Sequence, residues 1–577
     1  MDVASHLRVI RFGQFRLQPD GCILSCRDEM VALPPKCGSI LLLLLENAGR
    51  VVTKEELMQK IWPDTFVGES SLTRTISDLR KILGRYDSSQ DAIATVSKRG
   101  YRWTAPVDEV RQSSILPTGK LMLAVLPFSN LSGQSAEEYF SDGLTEEMIT
   151  QLGKINPQQL GVIARTSAVR YKRTRKGLQQ IARDLGVQYI LEGSVRRSGN
   201  RVRVTAKLID VADQTHLWCE SYDRESGDIL YLQNDVARSI AHEIKVKLIP
   251  KSGGTRPGPV IPQVYELYLR GLYLWNRRTL HGLKQSIRCF EQAIRIDPSF
   301  AVAYSGAADA YLTLQDQGHL ETLQATAEAK RMAGQALRID DALAEAHISL
   351  AHAYFHEFDW RSAEREFQHG IELNPNYALA HFYYANYLLV MARFADAISE
   401  ARTAESLDPV SLAAGTNSAA MLYFAGQYDN SIKKTRDVLE IEPGYAQAWE
   451  DLGRAYLEKG RLPDAIASFD RAVKLSERSP HFLASLAHAY GIAGHSKKAA
   501  ALLVELHRQS KKMYVSPYAF ALAETGLGHK DNAFDWLNTG YEQRSTALPF
   551  IGINPRLAPL RADPRFGELL RRLDLAR

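Results

Sequence analysis

The segment from residue 70 to residue 83 combines an aliphatic stripe with a face of hydroxyls and cations. Its apolar side chains recur with the period of an α-helix that has one buried side: they are Leu72, Ile76, Leu79 and Leu83. At about 100° per residue, the opposite side presents Ser70, Arg74, Ser77 and Lys81, with Asp78 on its edge. Hydroxyls and cations are the groups that contact DNA phosphates and base edges. From this helix alone, a solvated amphipathic face is the simpler interpretation, so the surrounding elements must decide.

Those elements predict a winged helix-turn-helix. Strands, three helices and a closing hairpin follow one another along the first hundred residues: strands 11–17, 21–26 and 30–33, helices 35–48, 53–61 and 70–83, and hairpin strands 92–97 and 101–105. The second helix begins with the capping box Thr53-Lys54-Glu55-Glu56. The hairpin turns at Lys98-Arg99-Gly100, so its tip is basic. In this class the last helix enters the major groove and the hairpin touches the neighbouring backbone or minor groove.

Four motifs in order resemble the OmpR/PhoB-type DNA-binding domain over about residues 8–106. They are Phe12–Leu17, Leu33–Lys36, Val51–Leu57, and the run Leu72–Leu83 followed by Ala94–Trp103. The resemblance implies that the helix reads the major groove and that the wing contacts DNA, through Ser70, Ser71, Arg74, Ser77, Lys81, Lys98, Arg99 and Arg102. It also implies that the loop before this helix touches RNA polymerase, through Trp62, Asp64, Thr65 and Phe66.

Two departures from this phosphorelay-related family bear on regulation. We expect no receiver domain before the winged helix, so phosphorylation of an attached aspartate would not be the switch. We also expect no membrane span after it, unlike in the CadC/ToxR-like relatives. Asp78 places an anion beside the expected DNA face. It can accept from a cytosine amino group, or pair with Arg74 or Lys81 at helical spacing, and we favour the intrahelical pair.

The middle segment, about 118–250, predicts an α/β domain. Strands are expected at 121–128, 161–165, 189–195, 201–210 and 216–222, and helices at 136–152, 178–185 and 229–248. Residues 107–119 and 251–262 are expected to be linkers. The segments Ala124–Phe128, Phe140–Leu144, Leu185–Ser194 and Trp218–Tyr222 resemble a TolB N-terminal-like domain. Similar segments accompany nucleotide cyclases, but we find no cyclase domain with paired metal-binding aspartates, and we expect no enzyme.

Residues 263–577 repeat with the spacing of tetratricopeptide repeats (TPR). Pro375, Pro409 and Pro443 follow one another at the repeat length of the TPR unit. Within one unit, Trp449, Gly453 and Tyr456 share one helix face, while Ala465 and Phe469 share the next. Small residues there let two antiparallel helices approach closely. The sequence predicts an all-α solenoid of about seven repeats with a C-terminal cap, which receives a protein or peptide on its concave face.

Composition excludes several classes of protein. The chain has 577 residues, of which 24% are charged and 45% hydrophobic, values typical of globular domains and not of disordered chains. We find no signal peptide and no apolar run of about 20 residues, and the five cysteines form no CxxC pair, so a cytoplasmic protein is expected. The 15 histidines are dispersed and lack metal-site spacing, so no metal, no cofactor and no catalytic residues are predicted.

The net charge of +5 is uneven along the chain. The first two segments are net basic and the repeat region is slightly acidic, so only the first two have an electrostatic reason to meet a polyanion. We therefore expect a DNA-binding transcriptional regulator whose partners are double-stranded DNA, RNA polymerase and a TPR ligand, with homodimerisation as a further expectation. The alternative is a non-catalytic interaction scaffold whose winged helix binds protein, favoured by Asp78 and the small net charge. An enzyme of nucleotide chemistry rests only on domain association.

Overall fold

The chain divides into two compact units, Met1–Leu116 and Pro117–Arg577, each described by itself. The structure is a computed structural model. It describes residues 8–12, 15–18, 23–26, 29–31, 33–61, 69–86, 92–97, 99–105, 108–111, 120–132, 137–199, 201–225, 228–244 and 260–576. Among these residues, no helix is long and apolar enough to cross a lipid bilayer.

The described residues of the first unit form two antiparallel sheets and three helices. The larger sheet has the order β4-β3-β2-β1-β8 and the smaller has the order β5-β7-β6. Strand bounds are β1 Arg8–Phe12, β2 Phe15–Gln18, β3 Ile23–Cys26, β4 Glu29–Val31, β5 Val51–Thr53, β6 Ile93–Val96, β7 Gly100–Trp103 and β8 Asp108–Arg111. The helices are α1 Pro35–Glu46, α2 Lys54–Ile61 and α3 Glu69–Tyr86. This is the predicted order of three helices and a closing hairpin.

Two sequence-based expectations were wrong here. Residues 11–17 do not form one strand, because Phe12 pairs with Phe15 across a reversal of the chain. In a continuous strand these two side chains would point to opposite faces, whereas the reversal buries both rings, stacked 5.2 Å apart. Part of the expected linker 107–119 is strand β8, which pairs with β1.

The middle domain has a mixed sheet of order β11-β9-β12-β13-β14, with β10 paired to β12. β11, β9 and β12 run parallel, while β12, β13 and β14 are antiparallel. The strands are β9 Leu121–Val125, β10 Ser129–Asn130, β11 Leu160–Val162, β12 Tyr189–Ser198, β13 Arg201–Asp210 and β14 His216–Glu225. The helices are α4 Glu138–Gly153, α5 Arg165–Ala168, α6 Leu178–Leu185 and α7 Ile229–Glu243, with a 3-10 turn at Val169–Tyr171.

The strand expected at 161–165 ends early, at Val162. The backbone N–H of Ala164 donates to the carbonyl of Leu407 in the helical array, and helix α5 begins at Arg165. The array therefore accepts the hydrogen bond of a backbone N–H that a longer strand would have donated within the sheet.

Sixteen helices form eight antiparallel pairs, one more than the approximate count of seven from sequence. They are α8 Pro262–Asn276, α9 Leu280–Ile296, α10 Ala301–Asp316, α11 Thr322–Ile339, α12 Ala344–Glu357, α13 Trp360–Leu373, α14 Ala378–Val390, α15 Phe394–Leu407, α16 Leu412–Phe424, α17 Tyr428–Ile441, α18 Ala446–Glu458, α19 Leu462–Leu475, α20 Pro480–Ile492, α21 Ser496–Ser510, α22 Pro517–Leu527 and α23 Lys530–Glu542. A Cβ on Gly453 would lie 2.8 Å from the ring of Phe469, so the small residue does permit the predicted close approach.

The chain ends in two 3-10 turns, Leu548–Phe550 and Pro555–Leu560, and helix α24 Pro564–Arg572. These elements cross back over the array. The indole N–H of Trp360 in the third pair donates to the carbonyl of Leu573 at 2.8 Å, and Arg556 donates to Ser485 in the seventh pair at 2.9 Å.

The middle domain and the first helix pairs share one hydrophobic core. Leu123 and Phe140 of the middle domain belong to the same buried cluster as Tyr268, Phe290 and Ala307 of the array. Helix α4 packs directly on α8. A Cβ added at Gly143 would lie only 2.7 Å from the side chain of Leu269, so the two helices are in close contact. The Tyr268 hydroxyl donates to Glu147 at 2.7 Å.

Candidate nucleic-acid interface

Helix α3 is seated by the aliphatic stripe that the sequence predicts. The four side chains of this stripe are between 0% and 7% exposed; they are Leu72, Ile76, Leu79 and Leu83. They pack into the core of the first unit with Leu41, Leu57 and Trp103. Full burial of one such side chain contributes on the order of 2 kcal/mol, so this stripe fixes which side of α3 faces outward.

The outward side carries most of the predicted DNA-contacting residues. Ser70, Arg74 and Lys81 are exposed on α3, while Ser71 and Ser77 are half-buried. On the hairpin of β6 and β7, Arg99 and Arg102 are exposed. Lys98 and the polymerase-loop residues Trp62, Asp64, Thr65 and Phe66 lie outside the described residues.

The cations of this unit fall into two groups. In the first group, each cation has a carboxylate partner. Arg50 lies 2.8 Å from Glu56, Lys54 lies 2.5 Å from Glu69, and Lys60 lies 3.6 Å from Glu56. Within the described residues, the structure records no ion pair for the cations of α3 and the hairpin named above, Arg74, Lys81, Arg99 and Arg102. Because a polyanion must otherwise displace an existing partner, these four side chains are the ones best placed to bind phosphate.

Arg80 connects α3 to the hairpin. Its guanidinium donates to the carbonyl of Ile93 at 2.5 Å and to the hydroxyl of Thr95 at 2.9 Å, both on β6. Sequence reasoning did not single out this residue. The available signal for a structural role was its position on the helix, at the margin of the aliphatic stripe and beside the core. Arg80 thus positions the two DNA-facing elements relative to each other.

Further contacts fix the start of α2 and α3. The backbone N–H of Glu56 donates to the Thr53 hydroxyl at 3.1 Å, which is one half of the predicted capping box. In the second half of a capping box, the Glu56 carboxylate would accept from the Thr53 backbone N–H. Here that carboxylate binds Arg50 instead, and the guanidinium lowers the pKa of the carboxyl. The ammonium of Lys54 binds Glu69, so the first residues of α2 and α3 are joined.

Strand β5 approaches the hairpin closely at Gly100. A Cβ at this position would lie 2.0 Å from the carbonyl oxygen of Val52. Only glycine permits the β5–β7 pairing that closes the smaller sheet, and this pairing supports the base of the wing.

The predicted intrahelical pair of Asp78 was wrong. In the described part of the chain, Asp78 makes no ion pair with Arg74 or Lys81 and is half-buried. Its charge acts towards the core instead: together with burial, which has the larger effect, it raises the pKa of the Cys37 thiol.

Comparison with known families decides what this unit is. Residues 28–103 match the family model "Transcriptional regulatory protein, C terminal". The first unit is an OmpR/PhoB-type winged-helix DNA-binding domain. Residues 119–239 match "HilA/YgeH-like transcriptional regulator, second domain", and residues 421–480 match "Tetratricopeptide repeat". The middle domain is thus HilA-like, and its likeness to a TolB N-terminal domain stays a prediction.

Three relatives show how far this similarity extends. HilA of Salmonella typhi is 28% identical over 431 residues, 73% of this chain and 74% of HilA. CadC of Escherichia coli (strain K12), a transcriptional activator, is 32% identical over 100 residues, 17% of this chain and 20% of CadC. A Rhizobium meliloti (strain 1021) protein named "Putative adenylate cyclase 3" is 35% identical over 237 residues, 39% of this chain and only 40% of that protein. The chain is thus similar to HilA over most of its length and to CadC over a short part, which supports a transcriptional regulator with a winged-helix DNA-binding domain.

A second basic segment of the HilA-like chain, residues 170–176, is used within the protein. Lys172 pairs with Glu138 and Asp142 at 2.7 and 2.6 Å, and Lys176 pairs with Asp184 at 2.7 Å. Arg170 donates to the carbonyl of Val410. Arg170 thus links the middle domain to the array, while Lys172 and Lys176 have carboxylate partners within the middle domain.

Part of the array surface lies against the middle domain, at Asn376 and Asp408. Asp408 accepts hydrogen bonds from the hydroxyls of Thr166 and Ser167, each at 2.6 Å, and Asn376 donates to the carbonyls of Gly153 and Leu160. Between the two domains lies a cavity of about 530 Å³. Its polar wall includes Glu146, Glu147, Arg278, Asp309, Asp316 and Glu345.

Proposed function

We propose that this regulator binds a specific DNA operator by placing α3 in the major groove and the β6–β7 hairpin on the adjacent backbone. The observation that carries the proposal is the set of four exposed cations without an ion pair among the described residues. They lie on two elements that Arg80 holds together. Arg99 and Arg102 supply phosphate contacts, and Ser70, Arg74, Ser77 and Lys81 face the groove, where hydroxyls and guanidinium groups read base edges.

Gel-shift titration with genomic fragments and excess competitor DNA tests this proposal. We expect the full chain to retain a subset of fragments. Arg74→Ala and Arg99→Ala should each weaken that binding at least about tenfold, the equivalent of one lost charged contact. Arg50→Ala is the matched control, because Asn47 and Glu56 already hold its guanidinium.

Two outcomes oppose the proposal. If both variants bind DNA like the parent, α3 and the hairpin are not the interface. If the parent retains no sequence in preference to competitor, the chain is better described as a protein-interaction scaffold whose winged helix binds protein.

Activation through RNA polymerase forms a second part of the proposal, and it rests on the family resemblance of the loop Trp62–Glu69. Asp64→Ala and Phe66→Ala should keep operator binding and lower transcription from the bound promoter in a purified system. Loss of DNA binding in these variants, or unchanged transcription, would speak against a polymerase contact.

We further propose that the second unit receives the signal, as a protein or peptide on array surfaces outside the junction with the middle domain. The hydrogen bonds of Asp408 and Asn376 to the middle domain support this restriction, since a ligand at the junction would have to displace them. Pull-down with the full chain, with and without surface substitutions on the later pairs, tests where the partner binds.

A further inference from the structure

Three side chains that can ligate a metal ion converge beside the cavity of the second unit. Asp316 is the last residue of α10, and His352 and His356 lie one turn apart on α12. The Nε2 atoms of the two imidazoles are 3.1 Å apart. One oxygen of Asp316, Oδ1, lies 3.7 Å from the first Nε2 atom and 3.8 Å from the second.

These three distances fit one central ion. A point equidistant from the three donor atoms lies about 2.1 Å from each, which is the length of a zinc–nitrogen or zinc–oxygen bond. Two histidines at positions i and i+4 of a helix present their rings to the same side, so the helix supplies two ligands without rearrangement. The third comes from the neighbouring helix pair.

The ligand set is held in place by its surroundings. The His352 and His356 side chains are 7% and 5% exposed, and the ring of Tyr383 stacks on His352 at 4.0 Å. The Asp316 side chain is 36% exposed and forms part of the cavity wall. In the described part of the chain, it makes no ion pair with a lysine or arginine, so no cationic side chain competes for its oxygens.

We propose that Asp316, His352 and His356 form a binding site for a divalent transition-metal ion, with Zn²⁺ as the best fit. Two imidazole nitrogens and one carboxylate oxygen are donors that zinc accepts, and three protein ligands leave a fourth position open. That position borders the cavity, where water or a small anion can complete the coordination. The ion would join the second and third helix pairs. This inference is independent of the DNA-binding proposal.

The test uses tag-free full-length protein stripped with a chelator and then titrated with Zn²⁺ by calorimetry. Co²⁺ serves as a second probe, because its visible absorption reports nitrogen and oxygen ligation. We expect one ion per chain and a higher unfolding temperature with Zn²⁺. Asp316→Asn, which keeps the shape of the side chain, and His356→Gln should each weaken binding at least about tenfold.

His319→Ala is the control, because this exposed histidine lies three residues after Asp316 and outside the cluster. It should bind Zn²⁺ like the parent. The proposal is overturned if the parent binds no ion, or if Asp316→Asn binds as tightly as the parent. It is also overturned if His319→Ala removes binding, since a surface histidine would then be the ligand. Should His356→Gln fail to fold, the folded Asp316→Asn variant decides. Without a metal, the two imidazoles simply share the N–H···N hydrogen bond seen at 3.1 Å.

Discussion

The guanidinium of Arg80 donates to the carbonyl oxygen of Ile93 at 2.5 Å, and this bond ties the DNA-facing helix to the wing. Both elements are anchored separately in the core, α3 by its aliphatic stripe and the hairpin by Trp103. The angle between them nevertheless depends on a polar contact at the margin of that core. If α3 and the hairpin both bind the operator as proposed, this contact couples the fold of the first unit to DNA binding.

Replacing this contact should affect stability and DNA binding together. Arg80→Ala removes the donor and leaves a partly buried carbonyl without it, which costs about 1–3 kcal/mol of unfolding free energy. Operator affinity should fall as the wing loses its fixed position. Lys81→Ala, one residue further on the exposed side, should keep stability while weakening DNA binding. Chemical denaturation and gel shifts measure the two effects; an Arg80→Ala variant with parental stability would contradict the role assigned to the contact.

Two glycines of the first unit should respond oppositely to alanine. Gly100→Ala places a Cβ against the Val52 carbonyl, so β5 must separate from β7 and stability should fall by about 2 kcal/mol or more. Gly84→Ala, in α3, meets no atom within 4 Å and should raise stability by about 0.5–1 kcal/mol, because alanine favours helix. Thermal unfolding of both variants gives the comparison. Equal effects would show that the clash is relieved by movement of the strand.

The salt dependence of operator binding should report the phosphate contacts. Arg102→Ala and Lys81→Ala are each expected to lower the slope of log affinity against log salt by about 1. Lys60→Ala, whose ammonium lies 3.6 Å from Glu56, should leave the slope unchanged. Binding isotherms at several salt concentrations decide this. A parental slope in the first two variants would remove those side chains from the interface.

Glu147 should make the stability of the second unit pH-dependent. Burial raises the pKa of this carboxyl from its ordinary 4.5 to about 7. Between these values the folded chain holds a proton that the unfolded chain has lost, so this group's contribution to stability falls as pH rises from about 4.5 to 7. Glu147→Gln removes that dependence.

The variant should therefore gain stability relative to the parent as pH rises through this window, by at most about 1.4 kcal/mol per pH unit. Unfolding curves at a series of pH values measure the difference. Glu372→Gln, whose side chain is 77% exposed, is the control and should show no such trend. A constant difference between Glu147→Gln and the parent would mean that Glu147 stays ionised in the fold.

Asp408 should hold the middle domain on the array. Asp408→Ala leaves the hydroxyls of Thr166 and Ser167 without their acceptor, at a cost of about 1–3 kcal/mol. Amide hydrogen exchange in residues 164–168 and 407–411 should become faster. Asp429→Ala is the control, because that side chain is 83% exposed and meets only Lys459. Unchanged exchange at 164–168 would show that the shared apolar core alone fixes the junction.

Local periodicity explains what could be predicted from the sequence. The stripe of α3 and the repeat spacing of the array are patterns within one element or one repeat, and both were confirmed. The reversal between Phe12 and Phe15 was missed because short apolar alternation does not distinguish one strand from two. The role of Asp408 could not be read from the repeat spacing that marks Pro409, because its carboxylate binds Thr166 and Ser167, about 240 positions earlier. No metal site was predicted: His352 and His356 lie four residues apart on α12, but Asp316 joins them only through the packing of two helix pairs.

Because Phe140 and Phe290 belong to one buried cluster, the middle domain also has a structural role in the array. A solenoid needs its terminal apolar surfaces shielded from water at each extremity. Here the shield at the amino-terminal extremity is the mixed-sheet domain itself, and at the carboxyl extremity it is the returning segment that ends in α24. Cleavage at the predicted linker 251–262 would therefore expose a large apolar surface on both fragments. A fragment for biochemical work should instead begin at residue 117, where the second unit begins.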